Sequence, residues 1–187
     1  PFDVFTWGFG GFGQLAQGDI DDRSTPTRIG GLSLSVAKGI KQIACGLEHI
    51  VLLAERTSNE ENVVQTVYGF GNNGSMRLTG KTKDLAIVDK NYMNIGNGSF
   101  NPNYQQKLQP QDLACGDYHT LAIVQGNSSE NDDTYVYAWG NNMFGQLGSG
   151  KDDKIDQAEP QKCVNIDGNI DVIAAGSMFS CAVTEDG

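Results

Sequence analysis

Basic residues are scarce: 13 Lys and Arg stand against 23 Asp and Glu, a net charge of −10. Tight, sequence-independent binding to nucleic acid needs a basic face to neutralise phosphates, so that class of function is disfavoured. Long apolar runs are missing too, and none approaches the roughly eighteen residues of a membrane-crossing helix. The start Pro1-Phe2-Asp3 offers neither the charged head nor the apolar stretch of a secretory leader. There are four cysteines but no C-x-x-C pair, so neither a disulfide framework nor a zinc site is expected. No amphipathic helix stands out. No paired carboxylates, nucleophile with base, or ligand cluster rises above the background. These absences lead to an expectation of no catalytic residue, no cofactor and no metal, in an intracellular setting with nucleus or cytoplasm left open.

What the chain has in quantity is itself. Val4-Phe5-Thr6-Trp7-Gly8, Val67-Tyr68-Gly69-Phe70-Gly71 and Val136-Tyr137-Ala138-Trp139-Gly140 are versions of one segment. A second block comes after each: Ile43 to His49, Leu113 to His119 and Ile173 to Phe179, with Gly46, Gly116 and Gly176 in one slot. Two landmarks advancing together at intervals of about 60 to 70 residues mean three copies of one supersecondary unit. The copies run over approximately 4–66, 67–135 and 136–187. Within them Leu32 to Val36 alternates apolar with polar, while Ile50 to Ala54 and Leu121 to Val124 are short apolar runs bounded by glycine or polar clusters. With 24 glycines and about four short strands per copy, an all-β radial propeller is favoured over a stacked helical solenoid.

The order V-x-x-W-G, G-Q-L, proline, I-A-x-G-x-x-H and an apolar strand ending in T-E-D-G resembles the repeat of the regulator of chromosome condensation family. It is written here as Val136 to Gly140, Gly145 to Gly148, Pro160, Ile173 to Gly176 and Val183 to Gly187. The resemblance covers essentially the whole chain and implies a β-propeller of that repeat type, seven-bladed in the family, of which three copies make about three blades. It also implies that the repeated histidine is part of the scaffold. Trp7, Gly8, Gly46, His49, Gly71, Gly116, His119, Trp139, Gly140 and Gly176 are therefore expected to be structural repeat positions. Because Asp-Gly is a hairpin signal, the chain is expected to be cut within a hairpin and to be part of a larger protein, a closed oligomeric ring being the alternative.

Copy two departs from the pattern. Phe70 replaces the tryptophan, Met76-Arg77-Leu78 stands where Gly-Gln-Leu would fall, and an insertion of about 84–106 precedes the next block. Loop-forming dipeptides fill it, and its Asp84, Asp89, Lys90, Tyr92, Asn97, Phe100 and Tyr104 are candidates for partner binding. Acidic residues gather in two further loops, 55–66 and 125–134, read as solvated hairpins or as a rim that attracts basic proteins.

Several patterns invite chemistry and do not support it. Gly8 to Gly13 and Gly69 to Gly74 satisfy G-x-G-x-x-G, yet Gln14 to Gly18 and Ser75 to Gly80 are too short and glycine-bounded for the helix that would hold a pyrophosphate. Turn glycines are expected instead. His49 and His119 share one slot, with Phe179 in the third copy, whereas a catalytic imidazole would be placed once beside a nucleophile. Cys45 and Cys115 likewise share a slot and, with Cys163 and Cys181, are expected as small apolar filler. Asn73, Asn97 and Asn127 open short glycosylation patterns of the kind that arise by chance.

The expected function is protein binding through loops, as a scaffold or targeting module. The alternative implied by the resemblance is guanine-nucleotide exchange on a Ran-type small GTPase, with the insertion as a wedge. Partners are then proteins, a small GTPase or a basic protein being the candidates, with no direct nucleic acid contact and no membrane span.

Overall fold

Apolar runs too short for helices, punctuated by glycine, become strands that pair with their sequence neighbours. The computed structural model describes residues 3–30, 37–57, 63–78, 93–94, 109–126, 133–151 and 154–185. Among these lie strands β1 (Phe5–Gly8), β2 (Arg23–Arg28), β3 (Ala37–Cys45), β4 (His49–Thr57), β5 (Val63–Gly71) and β6 (Met93–Asn94). They continue as β7 (Gln109–Cys115), β8 (His119–Gln125), β9 (Thr134–Gly140), β10 (Gln157–Lys162), β11 (Ile170–Ala175) and β12 (Ser180–Thr184). The only helical element among the described residues is a single 3-10 turn, Gly74–Met76.

The strands form two four-stranded antiparallel sheets, β3-β4-β5-β6 and β7-β8-β9-β10, flanked by the two-stranded β1-β2 and β11-β12. The two large sheets repeat one register. His49 lies opposite Gly71 and Ile50 opposite Phe70, just as His119 lies opposite Gly140 and Thr120 opposite Trp139. Each sheet therefore joins the histidine block that closes one sequence copy to the tryptophan-type strand that opens the next. The alternating segment Leu32 to Val36 lies outside the described residues, and β3 begins after it at Ala37.

The unbroken apolar runs now have a reason. On β4, Val51 and Leu53 enter a core shared with β7 to β9, while Leu52 and Ala54 enter another shared with Val4 and Ile29. On β8, Ala122 and Val124 face back to the first of these cores, and Leu121 and Ile123 face forward to Ile170 and Ile173. A strand covered on both faces cannot alternate apolar with polar. The sheets thus stack face to face in chain order, each burying one side against its predecessor and the other against its successor.

The acidic hairpins are tighter than the sequence suggested. β4 runs to Thr57 and β5 starts at Val63, with Glu55 opposite Gln65, so backbone pairing continues into residues whose composition is that of a loop. Glu60, Glu61, Glu130 and Asp132 lie outside the described residues.

Candidate functional site

Each Gly-x-x-His segment is a tight turn between the first two strands of a sheet. Gly46 N–H donates to His49 O at 2.8 Å, Gly116 to His119 at 2.9 Å and Gly176 to Phe179 at 2.9 Å. The ring of the fourth residue folds back onto the glycine, leaving no room for a side chain there. His49 and His119 are fully buried, 1% and 0% exposed.

Both histidines reach across to the next sheet. His49 Nε2 is 3.2 Å from Thr120 Oγ1, and His119 Nε2 is 3.0 Å from Ser180 Oγ. Thr120 gives its hydroxyl proton to the Arg77 carbonyl at 2.9 Å, and Ser180 gives its own to the Gln146 carbonyl at 2.7 Å. A hydroxyl has one proton to donate, so each imidazole must be the donor and carry its hydrogen on Nε2. Nδ1 of each ring is then an acceptor with no hydrogen-bond partner among the described residues. An imidazolium would bury an unanswered N–H at that atom, so the neutral ring is required. Burial, with smaller contributions from Arg77 and His119, pushes the pKa of His49 down to about 3. Burial also lowers that of His119.

This neutral state makes stability depend on pH. Below pH 6.5 the unfolded chain binds a proton at His49 that the folded chain refuses until near pH 3, so stability falls as pH drops through that window. His49 alone contributes about 1.4 kcal/mol per pH unit there, hence about 2 kcal/mol between pH 7 and pH 5, and His119 acts in the same direction. Urea unfolding at the two pH values checks this; a midpoint that does not move would contradict it.

The loop after the tryptophan-type strand forms the second part of this face. It carries Gln14, Arg77 and Gln146 in one slot, all buried. Gln146 Nε2 donates to Asn141 Oδ1 at 2.7 Å and lies 3.8 Å from Met178 Sδ. Arg77 points the same way with a charge to place. Its Nη1 is 3.3 Å from Glu48 Oε2, its Nε donates to Gly74 O at 2.7 Å, and its guanidinium lies 4.6 Å from the centre of the Tyr118 ring. Glu48 and Tyr118 occupy the second x of Gly-x-x-His in copies one and two, as Met178 does in copy three. The departure of copy two is thus a compensated one, in which a buried cation is met by a carboxylate and an aromatic face. Aligning the copies exposes this signal, because Glu48 and Tyr118 appear where Arg77 does.

Backbone geometry marks the same departure. Gly13 and Gly145 adopt φ of +73° and +81°, and Met76 in that slot is held at +60°. The left-handed region costs a side-chain-bearing residue about 1–2 kcal/mol, partly offset by the greater freedom glycine loses on folding. Met76→Gly should therefore raise stability by about 0.5–1 kcal/mol, read as a higher urea midpoint.

Trp139 is fully buried, with its indole N–H on the Arg77 carbonyl at 3.0 Å. Phe70 in the same slot is buried as well, but Trp7 is 60% exposed. The side chain in this slot faces the preceding sheet, and the chain places no described sheet ahead of β1. The thiols divide: Cys115 and Cys163 are half-buried against the cores, as apolar filler would be, whereas Cys45 and Cys181 are exposed, and all four are free. Burial raises the pKa of Cys115 to about 12 and that of Cys163 to about 11, which leaves both protonated and unreactive.

Apolar side chains stand outward on this face beside exposed polar ones such as Ser177. Met143 and Phe144 are 61% and 66% exposed, and Leu47 and Phe9 project similarly, Phe9 packing edge-on against Phe12 at 5.8 Å. Met143 and Phe144 correspond to Gly11 and Phe12 in copy one and to Gly74 and Ser75 in copy two. Met143 replaces a glycine that copies one and two share, and Phe144 keeps the phenylalanine of copy one, where copy two has serine; the sequence expectations passed over both. Asp117 Oδ2 accepts from Ser177 Oγ at 2.5 Å, linking neighbouring turns of this face.

Of the candidate partner loop, Asp84, Asp89, Lys90, Tyr92, Asn97, Phe100 and Tyr104 lie outside the described residues. Met93 and Asn94, within the same stretch, form β6 and add a fourth strand opposite Gly69 and Tyr68. The G-x-G-x-x-G segments lead into turns, not a phosphate-binding helix. Asn73 is buried and its Oδ1 accepts from Leu78 N–H at 2.9 Å, so it offers no amide to a glycosylating enzyme in the folded chain. Among the described residues no group of three or more His, Cys, Asp or Glu could hold a metal ion, and no helix is long and apolar enough to cross a membrane.

Comparison with known proteins agrees with this arrangement. The family model for the regulator of chromosome condensation (RCC1) repeat matches residues 3–53 and 133–183, and a second model of the same repeat matches 111–146. The chain is 33% identical over 98% of its length to the Arabidopsis thaliana ultraviolet-B receptor UVR8, of which it covers 36%. It is 32% identical over 95% of its length to the Candida albicans protein RCC1, covering 37% of it. It is 30% identical over 99% of its length to the human E3 ubiquitin-protein ligase HERC2, covering 3%. The crystal structure of human WBSCR16 superposes with a TM-score of 0.52 at 19% identity, over 98% of this chain and 53% of that one. The chain thus spans well under two-thirds of each of these proteins.

Proposed function

Because this chain belongs to the regulator of chromosome condensation repeat family, we propose that its propeller sheets act as a non-catalytic, intracellular protein-binding module of a larger protein, in a scaffold or targeting role. The observation that carries this reading is the division of labour on the loop face. Its polar residues His49, His119, Arg77 and Gln146 are engaged inside the scaffold, and its apolar residues Met143, Phe144, Phe9 and Leu47 stand exposed. Exposed aromatic and methionine side chains on a rigid scaffold are what protein interfaces use as anchors. The net charge of −10 favours a basic partner.

A second reading, guanine-nucleotide exchange on a Ran-type small GTPase, is favoured by 31% identity over 134 residues to the human X-linked retinitis pigmentosa GTPase regulator, of which the chain covers 12%. An exchange factor works by binding the nucleotide-free state more tightly than the loaded one. Affinity capture from cell extract with excess GDP, with GTP, or with magnesium chelated separates the two. Partners indifferent to nucleotide, and lost on Met143→Ser with Phe144→Ser, are the result expected. A small GTPase recovered mainly from the stripped sample would replace the scaffold reading with exchange.

A further inference from the structure

The tryptophan-type strand and its edge partner repeat one diagonal contact with different chemistry. Phe5 lies opposite Arg28, Tyr68 opposite Asn94 and Tyr137 opposite Lys162, so Arg28, Asn94 and Lys162 share a slot. Two residues before Phe5, Tyr68 and Tyr137 stand Asp3, Thr66 and Tyr135. In copy one the cation reaches back along this diagonal to a carboxylate, Arg28 Nε donating to Asp3 Oδ1. In copy three the same reach places Lys162 Nζ 3.5 Å from the centre of the Tyr135 ring. The Tyr135 hydroxyl donates to Asp133 Oδ2 at 3.4 Å, a long and weak hydrogen bond. One position of the repeat therefore holds an anion against a cation in copy one and a phenol against a cation in copy three.

We infer that Tyr135 is a phosphorylation site, taking the γ-phosphoryl group of ATP from a protein tyrosine kinase, with Lys162 as the partner of the phosphate. In the transfer the phenol oxygen bonds to the γ-phosphorus, the bond from that phosphorus to its bridging oxygen breaks and ADP leaves, and the phenolic proton passes to the base of the kinase. The product carries a charge of about −1.5 to −2 at neutral pH. Lys162 is exposed on a flexible stem, so its ammonium moves from the ring to the phosphate by side-chain rotation alone. The result is an ion pair of the kind Arg28 makes with Asp3, while the Asp133 carboxylate loses its hydrogen bond and is repelled. Other described tyrosines are less suited. Tyr68 is only 7% exposed, Tyr137 packs against a core and Tyr118 is covered by the Arg77 guanidinium. Tyr135 is half-buried and is the second residue of β9, at the end of the strand away from Met143 and Phe144. The inference is thus independent of the proposed binding loops and gives the hairpin end of this sheet a reversible charge.

The test uses a tyrosine kinase of broad specificity that, with ATP and magnesium, phosphorylates short peptides spanning Tyr68, Tyr135 and Tyr137. Applied to the folded 187-residue chain, with sites read by mass spectrometry, it should label Tyr135 and leave Tyr68 and Tyr137 unlabelled. Tyr135→Phe should remove that label. A folded chain that stays unlabelled at Tyr135 overturns the inference. Phosphorus-31 NMR of the labelled chain reads the part played by Lys162. The phosphate takes up its second proton at about pH 6. That midpoint should rise in Lys162→Gln, which removes a cation, and fall in Asp133→Asn, which removes an anion. Both residues lie at the surface or half-buried, so circular dichroism of each variant should match the parent. A midpoint that Lys162→Gln leaves unmoved overturns the pairing of the phosphate with Lys162.

Discussion

Trp139→Ala should lower the unfolding free energy by about 4 kcal/mol, while Trp7→Ala should change it by less than about 0.5 kcal/mol. The two tryptophans are the same residue of the same repeat. Trp139 is fully buried among Val51, Leu53, Val67 and Val124 and donates its indole N–H to a buried carbonyl. Truncating it removes the largest buried side chain of that core, leaves a cavity between two sheets, and deprives the Arg77 carbonyl of one partner. Trp7 has no described sheet in front of it and so, in this chain, little contact to lose. Urea unfolding of the two variants reads the difference, and equal losses would contradict the stacking of sheets described above.

Gly116→Ala should cost about 3 kcal/mol, in the upper part of the range for forcing extra atoms into a packed site. A β-carbon there would stand 2.2 Å from His119 Cε1 and 2.5 Å from the carbonyl oxygen of Gly176 in the next sheet. The imidazole cannot retreat without breaking its bond to Ser180, and the carbonyl belongs to another turn of the same construction. Gly46 is the same, with its β-carbon 2.2 Å from His49 Cε1 and 2.6 Å from the Gly116 carbonyl. The glycines are therefore contact points between successive sheets. Gly30→Ala is the control, since a β-carbon there meets nothing within 4 Å among the described residues, and it should stay within about 0.5 kcal/mol of the parent.

Much of this is visible in the letters, because the chain writes its plan more than once. The runs Ile50 to Ala54 and Leu121 to Val124 are β4 and β8, and their lack of alternation reflects burial on both faces. The shared slot of His49 and His119 marked them as scaffold, although the bond each makes is to the next sheet, which no local pattern displays. β2 and β10 were not legible as strands: Arg23–Arg28 and Gln157–Lys162 each contain a proline and show no apolar alternation. Edge strands tolerate both, since one side makes no ladder bonds and the faces are largely wet. The difference between Trp7 and Trp139 was out of reach for a related reason. Burial belongs to the neighbour as much as to the residue, and a repeat motif does not say whether a neighbour is present.

The candidate site was less legible than the fold. The sequence pointed to the long insertion, which draws the eye by its length and composition. The exposed pair Met143 and Phe144 sits inside a short loop whose flanks repeat closely, and Phe144 repeats the phenylalanine of copy one, so the letters do not set the pair apart. Arg77 stood out as a departure without a role, because its partners Glu48 and Tyr118 come from turns 29 residues before and 41 residues after it.

The proposed binding role rests on histidines that are engaged in joining sheets. Nitrogen-15 NMR of the two imidazole rings through a pH titration tests that most directly. The result predicted is a proton on Nε2 of both rings at neutral pH, with His49 unprotonated until the pH approaches about 3 or the chain unfolds. Rings that titrate near pH 6.5 in the folded chain, or that carry the proton on Nδ1, would contradict it.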